Sequence, residues 1–427
     1  MLPRPARQPT LNTMEHAAPS ISRRSAWVLV ALLSVAFLIN YMDRQVVFAI
    51  FPLLRSEMHF SETQLGLAGS LFTWTYSLAM PLSGRLADIF PRHRMVIASL
   101  LLWSIATVFT ALSRDINEFL ISRVFMGLSE SLYVPAAIAL ITQAHAGTTR
   151  SRALAVHGLA QFFGITLGGW YGGWAGQTIG WRQGLMILAA GGILYSFVIM
   201  RFLRGVGGPV SEIRATTPSA PRDLFRSAPF LVLSVTFFSF CSMLWMLYAW
   251  LPSYIYDTFH LSLAESGLTA ALFLQSGSAV GALTGGYIGD TYGRRRPLGR
   301  FHVLLGGLLG CAPFALATFA APSLFLLKAS ALCFGLFAGM FVSNIFASAY
   351  DIVSPRNFGL ATGVINMAGG LGSGAAILFA GMWKQSASIS SLMAIGTVFA
   401  LVMAVVLAFT LGIFSRKLPR RPAPVNA

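Results

Sequence analysis

From residue 27 to residue 413 the chain is a succession of apolar runs, each roughly as long as a helix must be to cross a hydrocarbon core of about 30 Å. They fall at 27–54, 63–86, 95–113, 117–142, 152–176, 183–203, 228–255, 264–289, 298–320, 323–349, 358–382 and 388–413, which predicts 12 spans. In lipid every backbone N–H and C=O must be satisfied internally, so only helices or a closed barrel cross. Long runs without polar alternation exclude the barrel. A chain with 56% hydrophobic and 10% charged residues is also too apolar for a soluble domain of 427 residues. The expected fold is all-α and integral to the membrane, a multi-pass protein with the bilayer as its surroundings.

The longest hydrophilic connection, Arg204 to Arg226, is rich in Gly, Pro, Ser and Arg and divides the spans into two sets of six. The expected organisation is a tail over 1–26, a first half over 27–203, a linker over 204–227, a second half over 228–413 and a tail over 414–427. No small-residue cleavage site follows the first run, so it reads as a retained helix. If both termini are cytoplasmic, that side carries 23 of the 30 Lys and Arg residues, and the other side only Arg55, Arg114, Arg182 and Lys384. This asymmetry predicts cytoplasmic termini in a cell inner (plasma) membrane.

A net charge of +16 suggests nucleic acid only when it forms a stripe on a soluble domain, and here it sits in loops. No nucleic-acid partner is expected. Cys241, Cys311 and Cys333 lie singly inside apolar runs with no metal-ligand spacing. With no phosphate loop, dinucleotide fingerprint, metal cluster or nucleophile motif, neither an enzyme nor a cofactor is expected, and ATP is not the expected energy source. The proton gradient expected in its place rests on the acids buried within the spans.

Charge inside the spans is rare. Asp43 and Arg44 interrupt the first run, and Arg123 and Glu130 stand seven residues apart, two turns along one face of the fourth. Ionised side chains at bilayer depth survive when paired, hydrated or used. Burial penalises a charged carboxylate while a nearby guanidinium favours it, so an acid held between these influences changes protonation when its surroundings move. Asp43 and Glu130 are therefore the candidate proton-coupling sites. Arg44 and Arg123, permanently charged and able to grip a carboxylate bidentately, are candidate anchors for an anionic substrate.

Gly84, Asp88 and Arg92 follow the second run, and Gly286, Asp290 and Arg294 recur at the same place after the eighth. The repeat places a candidate gating latch in each half: Gly permits close helix packing, and Asp pairs with the basic cluster that follows. This Gly-x-x-x-Asp-x-x-Gly-Arg-Arg-type loop resembles the signature of the major facilitator superfamily, although Ile89 and Pro91 depart from it in the first copy. The resemblance implies two pseudo-symmetric six-helix halves that move substrate by alternating access.

Asn40-Tyr41-Met42-Asp43-Arg44, Arg123-x-x-x-Gly127-x-x-Glu130, Gly180-Trp181-Arg182 and the Gly363 to Gly372 stretch around Asn366 are similar to the anion:cation symporter family. That likeness implies proton-coupled movement of a sugar acid or other carboxylate, with Tyr41, Tyr76, Gln161 and Asn366 matching its hydrogen-bonding positions. Asn344, His157, Tyr248, Gln275 and Ser348 are further polar candidates within the spans, each also able to bridge helices. Pro81 to Asp88 and Leu102-Trp103-Ser104 look equally like Spinster-type carriers of lysolipids or other amphiphiles. The expected protein is a monomeric secondary transporter of a small organic anion. The alternatives are an amphiphile or drug exporter and a non-transporting sensor with the same fold.

Overall fold

The computed structural model describes residues 22–145, 149–203, 221–296, 298–354, 357–384 and 386–415, without the side chains of Asp88, Pro221, Asp223, Phe414 and Ser415. Most of the expected tails and linker thus lies outside the described residues. The exceptions are residues 22–26 and 414–415, at the ends of the first and last helices, and residues 221–227 of the linker, which include a short helix, Pro221–Arg226 (α9).

The first half comprises α1 (Arg23–Ala49), α2 (Phe51–Glu57), α3 (Glu62–Ile89), α4 (Arg92–Leu112), α5 (Ile116–Ser131), α6 (Tyr133–Ala144), α7 (Arg150–Thr178) and α8 (Trp181–Leu203). The second comprises α10 (Ala228–Phe259), α11 (Leu263–Arg295), α12 (Gly299–Ala320), α13 (Leu324–Ile352), α14 (Phe358–Trp383) and α15 (Ile389–Ser415). Two expected spans are each divided near a proline. Pro52 cannot donate to the carbonyl of Phe48, and α1 gives way to α2 at Ile50; Pro135 cannot donate to Ser131, and α5 gives way to α6 at Leu132. Counting each divided span once, the described residues hold six membrane-length segments per half.

Ten of these are long and apolar enough to cross a membrane by composition. The other two, α3 and α7, are 28 and 29 residues long, about 42 Å. Their lower apolarity reflects small and polar residues at helix contacts: Gly66 and Ser70 of α3 meet α14, Gly169 and Gly173 of α7 meet α11, and Gly164, Gly168 and Gly172 of α7 meet α1.

The halves echo one another in their helix starts. Ser61 with Gln64 forms a capping box at α3, and Ser262 with Glu265 forms one at α11, each on the second span of its half. Asp115 caps α5 and Ser323 caps α13, each on the fourth. All four lie on the face remote from Arg23 and Ser415, hereafter the remote face; the other is the terminal face.

The halves meet toward the remote face. Gln45 Nε2 donates to the carbonyl of Tyr248 at 3.2 Å, Ser70 to Gly374 at 2.7 Å and Trp74 to Leu371 at 3.2 Å, and Gln177 accepts from the Ala264 N–H at 3.1 Å. A Cβ added at Gly169 or Gly173 of α7 would strike the backbone of Gly267 or Leu263 in α11. One added at Gly66 of α3 would strike the backbone of Ile377 in α14. The same four helices are free of such approach nearer the terminal face: a Cβ at Gly84, Gly158, Gly286, Gly359 or Gly363 meets nothing within 4 Å. Leu82 and Phe90 of that end are exposed. The two halves therefore form a wedge, closed at the remote face and splayed at the terminal face.

Candidate functional site

Near mid-depth of the first half, four charged side chains are out of solvent: Asp43 is 2% exposed, Arg44 4%, and Arg123 and Glu130 0%. Glycine makes this possible. A side chain at Gly127 would collide with Phe72 and Tyr76 backbone, so its absence lets α5 press Glu130 and Arg123 against α3.

The four charges are close but are not one network of contacts. Arg44 Nε donates to Glu130 Oε2 at 2.7 Å, a buried ion pair between α1 and α5. The same guanidinium lies 4.3 Å from the ring centroid of Tyr76, 4.7 Å from that of Tyr41 and 5.1 Å from that of Phe72. Arg44 is thus held by one carboxylate and an aromatic cage, which attracts its cation through the ring faces.

Asp43 faces the other way, toward α4. Its Oδ1 lies 3.1 Å from the Thr107 hydroxyl, which is also 3.0 Å from the Trp103 carbonyl. A hydroxyl has one proton, so Thr107 serves one of these acceptors at a time, unless Asp43 carries a proton of its own and donates back. Arg123 has no carboxylate within ion-pair distance among the described residues. It contacts the Met126 sulfur at 2.7 Å and lies 4.8 Å from the Phe72 ring centroid, within electrostatic reach of Glu130 and Asp43. The Phe72 ring is therefore shared by two guanidiniums.

The uncharged candidates divide. Tyr41 and Tyr76 join the cage. Gln161 is half-buried on α7, and Asn366, also half-buried, donates to the Thr362 carbonyl of its own helix at 3.0 Å. Tyr248 and Gln275 bond to each other at 3.0 Å beside the Gln45 crossing. His157 is buried and stacked on Phe37, ring centroids 4.5 Å apart. Ser348 is buried on α13.

Asn344 is a helix staple: its Nδ2 donates to the Gly285 carbonyl of α11 and to Met340, both at 2.9 Å. Asn344→Leu leaves the Gly285 carbonyl without this donor. It is expected to cost about 1–3 kcal/mol, read as a lower thermal transition, with ligand preference unchanged.

The latch residues differ from expectation. Gly84 and Gly286 face open space, so neither supplies a close approach here. Asp290 pairs with Arg300 on α12 at 2.9 Å, rather than with the adjacent Arg294, which is exposed. Arg300 also holds Asp351 of α13 at 3.1 Å. The basic cluster continues the helix axis away from Asp290, whereas α12 returns alongside it. In the first half the Asp88 side chain is outside the described set, and buried Arg92 donates to the Ala87 carbonyl at 3.4 Å.

Gly180 takes φ +88° in the turn between α7 and α8, a conformation suited to glycine. The turn aims Arg182 at the carbonyls of Ala111 and Ser113, at 2.8 and 2.6 Å, tying α8 to α4. Sequence reasoning missed Phe72 and Thr107, which look like any apolar or hydroxyl residue in a span. Asn40, fully buried four residues before Arg44, was within reach because it shares that helix face.

The comparisons agree with this architecture. The family model described as Major Facilitator Superfamily matches residues 33–301 and 254–427. A probable sulfoacetate transporter of Cupriavidus necator is 30% identical over 318 residues, 67% of this chain and 71% of that protein. A probable L-galactonate transporter of Escherichia coli is 25% identical over 303 residues, 67% of each. In fold, the chain resembles the crystal structure of a bacterial homologue of the human lysosomal transporter Spinster, in an inward-facing, unoccupied conformation. The TM-score is 0.80 at 20% identity, covering 94% of this chain and 100% of that one.

Proposed function

The chain belongs to the Major Facilitator Superfamily, and on that premise we propose that it carries a small organic anion by alternating access, coupled to protons at Asp43 and Glu130. The observation behind this reading is the buried Arg44–Glu130 pair inside an aromatic cage. A guanidinium stays charged, so its availability to a substrate depends on the carboxylate. While Glu130 is ionised it occupies Arg44. When Glu130 takes a proton, Arg44 is released to bind a substrate carboxylate. Proton and anion then bind together, which is symport. After both leave, the ion pair re-forms and the empty carrier resets without an unpaired buried charge.

Arg123 supplies a second positive field, and Asp43, hydrogen-bonded to the Thr107 hydroxyl, supplies a second proton site. The half-buried Gln161 and Asn366 are the further substrate contacts of this reading, and Tyr41 and Tyr76 flank the anion. The terminal face is cytoplasmic, because the basic residues concentrate there. In that orientation the wedge is open inward. The protein works as a monomer in the inner membrane, since one chain contains both halves. The Asp290–Arg300–Asp351 network steadies the terminal end of the second half during rocking.

Uptake of a sugar acid or sulfocarboxylate into proteoliposomes, with and without an inward proton gradient, tests the reading. Acceleration by the gradient is expected for the wild type and none for Asp43→Asn. Full acceleration in that variant removes Asp43 from coupling. Thermal stabilisation by carboxylates is expected because ligand binding favours the native state. Stabilisation by lysolipids alone would transfer the function to amphiphile transport.

A further inference from the structure

At the remote face, away from the buried site, four charged side chains straddle the seam between the halves. Arg55 of α2 and Glu62 of α3 belong to the first half. Asp257 of α10 and Lys384, the residue capping α14, belong to the second. Two contacts cross the seam: Arg55 Nη1 to Asp257 Oδ2 at 3.2 Å, and Lys384 Nζ to Glu62 Oε2 at 3.2 Å. Two others stay within a half: Arg55 Nε to Glu62 Oε1 at 2.9 Å, and Lys384 Nζ to Asp257 Oδ2 at 3.8 Å. Lys384 also lies 5.0 Å from the ring centroid of Trp250, and the four side chains are 14–35% exposed.

The geometry points to a partner-exchanging gate that closes the remote face without stranding charge when that face opens. Each half contributes one acid and one base. With the face shut, each base touches both acids. When the halves part, the crosswise contacts are lost, but Arg55 keeps Glu62 and Lys384 keeps Asp257. Both open surfaces are then internally neutral. A single pair across the seam would leave an uncompensated charge on either side, and so would hold one state too firmly. The quartet instead gives the closed state a modest preference, suited to an element that must alternate between two arrangements. Its position supports this: Gly66, Gly173 and Gly381 bring the backbones together beside the same seam.

The gate depends on which charge faces which. Exchanging the charges within one half, as Arg55→Glu with Glu62→Arg, preserves the internal pair and total charge but turns both crosswise attractions into repulsions. Exchanging both halves, by adding Asp257→Lys and Lys384→Asp, restores attraction. Spin labels at Asn117→Cys and Pro322→Cys, exposed positions on the remote face of the two halves, report the separation after Cys241, Cys311 and Cys333 are replaced by alanine.

The wild type is expected to show a major short-distance population, the double exchange a major long-distance population, and the fourfold exchange a return to short distance. An unchanged distribution in the double exchange, or a long distance that persists in the fourfold exchange, overturns the proposal. Arg55→Gln with Glu62→Gln removes the crosswise pairs without creating repulsion. It is expected to lengthen the distribution partially, and no lengthening would likewise overturn it. This readout needs no substrate or proton gradient, so it stands apart from the transport assays of the buried site.

Discussion

Glu130→Gln is expected to exchange substrate across the membrane while losing all acceleration by a proton gradient. Glutamine keeps an acceptor for Arg44 Nε but cannot compete as an anion, so Arg44 stays available to substrate in every part of the cycle. Counterflow, which requires only loaded transitions, should persist; accumulation should fall to the level set by the substrate gradient alone. Arg44→Leu should behave differently. It removes the anion anchor, so counterflow and accumulation disappear together. Removing one partner of a buried ion pair also costs on the order of 3–5 kcal/mol, and the thermal transition should fall. Equal gradient-driven uptake by wild type and Glu130→Gln would exclude Glu130 from coupling.

Gly173→Leu is expected to arrest the cycle by a different route. Position 173 faces the main chain of Leu263 and Ala264, which cannot rotate away from an added side chain. Within α7 itself leucine favours helix by about 1 kcal/mol over glycine, so the first half should fold at least as well. The halves, however, should no longer close at the remote face. Spin labels there should report long distances, and counterflow should be lost. Gly191→Leu is the matched control: its position on α8 is exposed and a Cβ meets nothing within 4 Å. Normal transport by Gly173→Leu would show that the α7–α11 approach is not needed for turnover.

Both predictions concern features that differ in how far the sequence reveals them. Asp43, Arg44, Arg123 and Glu130 stand out because ionised residues are rare at bilayer depth, and their shared burial in the first half was foreseeable from helical spacing. Their pairing was not. Spacing allows either arginine to meet either acid, and the outcome depends on helix rotation: Arg44 turns to Glu130 while Asp43 turns to Thr107. Phe72 carries no distinguishing mark in an apolar span, yet its ring lies near both guanidiniums. Asp290 illustrates a related limit, because its cation lies on the next helix at Arg300 rather than in the adjacent cluster.

By itself, the sequence determined the membrane class, the two sets of six spans and the identity of the buried charges. These depend on local quantities: run length and the cost of charge in lipid. Only the tertiary structure decided that the wedge is closed at the remote face and that Arg55 and Lys384, ordinary loop cations by position, share Glu62 and Asp257 across the seam. Such contacts join residues up to 322 positions apart. Their partners are fixed by how whole helices tilt and rotate against one another, which no local pattern encodes.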